Sequence, residues 1–191
     1  MGQITFGRLS AAALLGVLMT AGSLTAPVAQ ENADVEARIQ LMKDLGKAMK
    51  VLGPIFKGAV PYDAVSVREA AGAIRARSGA ELTKLFPEGS LVGKTEALPT
   101  IWQDWETFTV LADDLGFYAE GLIAAAENPR DQAGAGQQGG TLGQQGGTLG
   151  QQAAPSVPRD PATLATLSPD VSFGALAKTC GTCHTDFRKD D

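Results

Sequence analysis

Near its C-terminus the chain reads Cys180-Gly181-Thr182-Cys183-His184. This has the form C-x-x-C-H, the attachment sequence for a c-type haem. Residues three and four apart share a helix face. The two thiols can therefore form thioethers to the haem vinyl groups while the imidazole binds the iron. The chain holds these two cysteines and this one histidine and no others. Scattered at random, three such residues would fall into this pattern roughly once in twenty thousand draws. A redox pair and a structural disulfide are the competing readings of C-x-x-C, and a zinc site would need more Cys or His ligands than the chain has. With both cysteines committed to one covalent haem c, no disulfide framework supports the fold. The core must come from helix packing and the cofactor.

At 191 residues the chain is long enough for one domain with appendages. Aromatic residues make up 6% and alternating Val/Ile/Thr runs are almost absent, which argues for helices and against a sheet. The net charge of −5 comes without a basic cluster, so nucleic acid is not an expected partner.

Residues 1–30 read as a secretory signal peptide. Arg8 sits in a short polar start, an apolar run follows from Leu9 to Met19, and small residues continue to Ala29. The apolar run is shorter than the ~20 residues of a membrane-spanning helix, so no stable span is expected after cleavage, which is placed near Ala29 or Gln30. Export agrees with the haem, which is attached outside the bacterial inner membrane. The expected location is the periplasm. Loss of Arg8 leaves the exported chain more acidic, which hints at redox partners with a basic docking face.

Residues 31–130 are expected to hold three helices. The first, at about 32–52, has Asn32 or Asp34 as candidate caps and an apolar stripe of Val35, Ile39, Met42, Leu45, Met49 and Leu52. Gly53-Pro54 marks a boundary or kink. The second, at about 62–86, is capped by Asp63, with a break near Ser78-Gly79, and ends at Pro87-Glu88-Gly89. Arg68, Arg75 and Arg77 read as a solvated face. The third, at about 100–127, carries Trp102, Trp105, Phe108, Ala112, Leu115, Ala119 and Leu122 on one face, with both tryptophans expected in the core.

Residues 131–159 contain the unit Gly-Gln-Gln-Gly-Gly-Thr-Leu twice in tandem. Each glycine inside a helix costs about 1 kcal/mol relative to alanine, so this reads as a disordered Gly/Gln-rich loop whose deletion is tolerated. Residues 160–191 hold the haem-attachment helix and a tail. Ser168-Pro169 marks an N-cap with proline at the first helical position, and a preceding turn at 161–167 is a further helical candidate.

A sixth iron ligand would be a methionine or lysine, because no second histidine exists. In an up-down-up-down bundle the last helix runs antiparallel to the first, so His184 lies near the first helix's start. Met49 is seven residues beyond Met42, about 10 Å along the axis, which leaves Met42 at the level of the iron.

Four helices, a signal peptide and C-x-x-C-H on the last helix together resemble the class II c-type cytochromes, the cytochrome c prime family. The matching pieces are Arg38 with Leu41-Met42-Lys43, the run from Lys57 through Asp63, Ile101-Trp102, and Cys180 through Arg188. The Gly/Gln insert departs from the family. The resemblance implies an all-α, antiparallel up-down-up-down four-helix bundle with covalently bound haem. It implies that Met42 occupies the position where low-spin members carry a methionine ligand and high-spin members an apolar non-ligand. It implies that Arg38, with Arg188 as a second candidate, lies near the haem propionates. Members often dimerise through their first two helices, so a homodimer is an expectation.

The resulting expectation is a periplasmic electron carrier, not an enzyme, with His184 and Met42 as axial ligands and redox proteins as partners. The alternative is a five-coordinate protein that binds or buffers NO or CO. No nucleophile–base pair is visible, and the sole histidine is committed to iron.

Overall fold

The computed structural model describes residue 2, residues 26–130 and residues 159–189. The apolar run of the expected targeting segment and the Gly/Gln repeat, expected to be disordered, lie outside the described residues. Among the described residues seven helices follow in order: α1 (Ala26–Phe56), α2 (Ala64–Arg75), α3 (Ala80–Thr83), α4 (Thr100–Gln103), α5 (Trp105–Ala125), α6 (Pro161–Thr166) and α7 (Pro169–Phe187). Among the described residues the only β-type pairing is an antiparallel bridge between Ala97 and Arg188, and no helix is long and apolar enough to cross a membrane.

The long helices α1, α2, α5 and α7 form a four-helix bundle, and contacts at their ends fix its direction. Asn128, after α5, donates to the Leu167 carbonyl before α7, while Thr100, before α5, donates to the Asp186 carbonyl at the end of α7. Those two helices are therefore antiparallel. Arg68 pairs with Glu127, and Gly79 N–H donates to the Ala112 carbonyl at 2.8 Å, so α2 and α5 are antiparallel as well. Arg75 pairs with Glu120 and Arg77 with Asp44, which places the three arginines on a solvated, ion-paired face. Leu52, Ile74, Ile101, Leu122 and Leu176 are fully buried where the helices meet. Each such side chain contributes about 1.5–3 kcal/mol by leaving water.

Helix α1 differs from its expected bounds at both ends. It is already helical at Ala26, six residues before the expected cap. Pro27 sits in the first turn, where its missing N–H has no intrahelical acceptor to leave unpaired. At the other end the chain runs through Pro54 to Phe56. Proline removes one N–H, but Ile55 and Phe56 beyond it are buried, and their packing offsets that loss. The stop is Gly58, whose φ of +71° is the left-handed conformation glycine adopts without strain, followed by Ala59 N–H donating to the Pro54 carbonyl at 2.9 Å.

The second expected helix divides into α2 and α3 at Ser78-Gly79, and Asp63 caps α2 by accepting from Ser66 N–H at 2.9 Å. The third divides at Asp104, which caps α5 by accepting from Thr107 N–H. That break overturns one expectation. Trp105 is 39% exposed, and the buried stripe of α5 starts at Phe108. Trp102, on the separate α4, is half-buried and donates its indole N–H to the Phe86 carbonyl at 3.1 Å. The last helix also divides. Pro161 and Pro169 open α6 and α7, and Asp160 caps the first of these through Thr163 N–H.

Candidate haem site

At the C-terminal end of α7, Cys180 and Cys183 are partly buried against the core. Burial pushes the Cys180 thiol above its ordinary value. Burial, then the neighbouring Cys180 and Asp186, push Cys183 up to about 11. His184 follows at the open edge. Partial burial and the Arg188 charge lower its pKa, with Glu96 opposing, which favours the neutral imidazole, the form that donates a lone pair to a metal.

A cavity of about 430 Å³ opens beside these residues and is walled by Phe86, Ile101, Phe108 and Phe187. Met42 and Lys43 of α1 reach it, as do Cys183 and His184 of α7, with Arg38 and Arg188 at its polar side. Cys180 lies one turn earlier, against the core. Met49 packs on the core and does not line the cavity.

Arg38 is the polar centre of this site. It is 4% exposed, which costs desolvation and pulls its pKa below the ordinary value, with Asp34 opposing. Nη2 donates to the Ser90 carbonyl at 2.6 Å and to Ser90 Oγ at 3.0 Å. The guanidinium stands 4.6 Å from the Phe86 ring centroid. Nη1 is buried with no hydrogen-bond partner among the described residues. A buried, unpaired guanidinium nitrogen is costly unless a carboxylate or similar acceptor completes it.

The residues therefore suit a haem. Aromatic walls match an apolar macrocycle, two thiols and an imidazole sit together on α7, and an orphaned guanidinium nitrogen is set to receive an acid group. Sequence reasoning missed Ser90, Phe86 and residues 94–97 of the cavity wall. Their signal was faint: a serine between Gly89 and Gly93, both of which have positive φ.

A four-helix bundle with a cavity suited to haem between its first and last helices is the arrangement of a c-type haem protein. A family model described as cytochrome C' matches residues 33–147. Cytochrome c-556 of Agrobacterium fabrum (strain C58 / ATCC 33970) is 36% identical over 170 residues, 89% of this chain and 90% of that one. Cytochrome c' of Rhodopseudomonas palustris (strain ATCC BAA-98 / CGA009) is 30% identical over 162 residues, 84% of each chain. The solved cytochrome c prime from Shewanella frigidimarina shares the fold with a TM-score of 0.59 at 22% identity, over 84% of this chain and 97% of that chain. The chain belongs to the cytochrome c' family of class II c-type cytochromes, and its cofactor is a single covalent haem c.

Proposed function

We propose that this protein is a periplasmic one-electron carrier. In this reading Cys180 and Cys183 would hold the haem covalently, His184 and Met42 would ligate its iron, and Arg38 would donate to a haem carboxylate. The haem supplies the Fe(III)/Fe(II) couple. Met42 thioether ligation together with His184 would favour the ferrous state and raise the potential relative to histidine alone. The apolar phenylalanine walls would act in the same direction. Paired strong ligands keep the site's geometry similar in both oxidation states, so little reorganisation accompanies transfer.

The single observation that supports this most is that Met42 of α1 and His184 of α7 line the same cavity. Absorption spectroscopy of the purified holoprotein tests it. The expected result is a weak near-infrared ferric band for Met sulfur and a low-spin ferrous spectrum. A high-spin ferric spectrum, or rapid CO binding to the ferrous protein, overturns it.

A second reading has its own observation. Met42 also packs against the buried core, which is the usual role of a methionine on an apolar face. If its sulfur only packs, the iron is five-coordinate and the protein binds NO or CO. A catalytic role has no support from a nucleophile–base pair in the sequence.

A further inference from the structure

The connection between α3 and α4 spans residues 84–99 and crosses the cavity from one ligand-bearing helix to the other. At one end, the turn at Gly89 (φ +83°) is followed by Ser90, which is fully buried. Both of its oxygens accept from Arg38 Nη2 of α1. At the other end, the segment is tied to the C-terminal end of α7. Leu98 N–H donates to the Phe187 carbonyl at 2.9 Å, Lys189 N–H to the Glu96 carbonyl at 2.8 Å, and Lys189 Nζ to the Thr95 carbonyl at 3.1 Å. Residues 94–97, at this second anchor, form part of the cavity wall.

We propose that Ser90 is a positioning residue: its two oxygens hold the Arg38 guanidinium so that Nη1 faces the haem carboxylate, and the same contact fixes the 90–97 strap across the cavity. Nη2 is saturated by Ser90, and Nε reaches the Asp34 carbonyl only at 3.5 Å. Nη1 has no partner among the described residues. Ser90 thus determines which nitrogen remains for a ligand. A guanidinium held beside a carboxylate offsets its negative charge and disfavours the ferric state, so loosening it moves the potential down.

The proposal rests on Arg38 facing a haem carboxylate and does not require Met42 to ligate. The test measures the reduction potential and amide exchange of holoprotein variants. Ser90→Ala is expected to shift the potential negative. It should also speed exchange by about tenfold at Thr95 and Ala97, whose N–H groups bond the Gly93 carbonyl and Thr95 Oγ1, the effect of losing one hydrogen bond to a charged group. Ser90→Thr, which keeps the hydroxyl, should restore both. In an Arg38→Gln background, which itself lowers the potential, Ser90→Ala should add no further shift.

If Arg38→Gln leaves the potential unchanged, the carboxylate reading of Arg38 fails. If Arg38→Gln shifts it and Ser90→Ala does not, the positioning role alone fails. An equal shift from Ser90→Ala in both backgrounds, or from Ser90→Thr and Ser90→Ala, overturns action through Arg38. Should Ser90→Ala give no holoprotein, exchange in Arg38→Met, which has no donor, carries the test, and wild-type protection of the Ser90, Thr95 and Ala97 amides there overturns the link.

Discussion

Phe56, at the end of α1, stacks on Phe173, near the start of α7, with ring centroids 4.2 Å apart and planes 9° from parallel. Arg130 lies 5.1 Å from the Phe56 ring centroid, and its guanidinium binds Asp170 through Nε at 3.0 Å and Nη2 at 2.5 Å. This contact joins the two helices at one end of the bundle. At the other end the same helices border the cavity that Met42 and His184 line. Met42 is roughly 20 Å along α1 from the stack, at 1.5 Å rise per residue.

Removing the stack should therefore affect stability and leave the site alone. Phe56→Ala is expected to cost about 3–5 kcal/mol, measured by denaturant unfolding followed by far-UV circular dichroism. The visible spectrum of the folded variant should match the parent. A changed ligation signature would show that the two ends are coupled.

Met42→Leu separates ligation from packing. The side chains are close in volume, so stability should change by less than about 1.5 kcal/mol. The ferric spectrum should become high-spin, the potential should fall, and the ferrous protein should bind CO rapidly. Identical spectra for parent and variant would assign Met42 to packing.

The two cysteines can be tested without reference to the sixth ligand. Cys180→Ala with Cys183→Ala should abolish covalent haem in a pyridine haemochrome assay, and either single change should leave one thioether. Retention of two thioether-type signals in a single variant would contradict the attachment.

Acid stability depends on capping carboxylates. Asp63 is held below its ordinary pKa by bonds from the Ser66 hydroxyl and N–H, and Asp160 by the equivalent bonds from Thr163. Hydrogen bonds from Lys47 and Gln40 lower Asp44 in the same way. A depressed folded pKa means the stabilisation is present above the unfolded value and lost as pH falls through the folded one. Stability should hold down to about pH 4 and decline below it. Asn at 63 and 160 can still cap a helix but does not titrate. Asp63→Asn with Asp160→Asn should therefore lose less stability than the parent between neutral pH and about pH 3. An unchanged acid limb would place the effect elsewhere.

Periodic features are legible in the chain itself. The helices follow from apolar residues at three- and four-residue spacing, and Asp63 and Ser168-Pro169 mark helix starts that the fold retains. The misses come from competing local terms. Pro54 is a helix breaker by its own chemistry, yet buried Ile55 and Phe56 carry α1 past it. Trp105 matches the spacing of a core residue, but Asp104 interrupts the helix and leaves it 39% exposed.

What the sequence alone determined is the arrangement that depends on neighbours along one helix: two cysteines and a histidine within a single turn and a half of α7, the pattern that calls for a covalent haem. Helix rise and antiparallel order also brought Met42, and not Met49, to the level of His184. The tertiary structure alone decided how Arg38 is held. Its partner Ser90 is 52 residues away, in a connection with no periodic pattern. A contact between such distant positions depends on how the helices pack and on a turn at a glycine, and neither leaves a repeat along the chain.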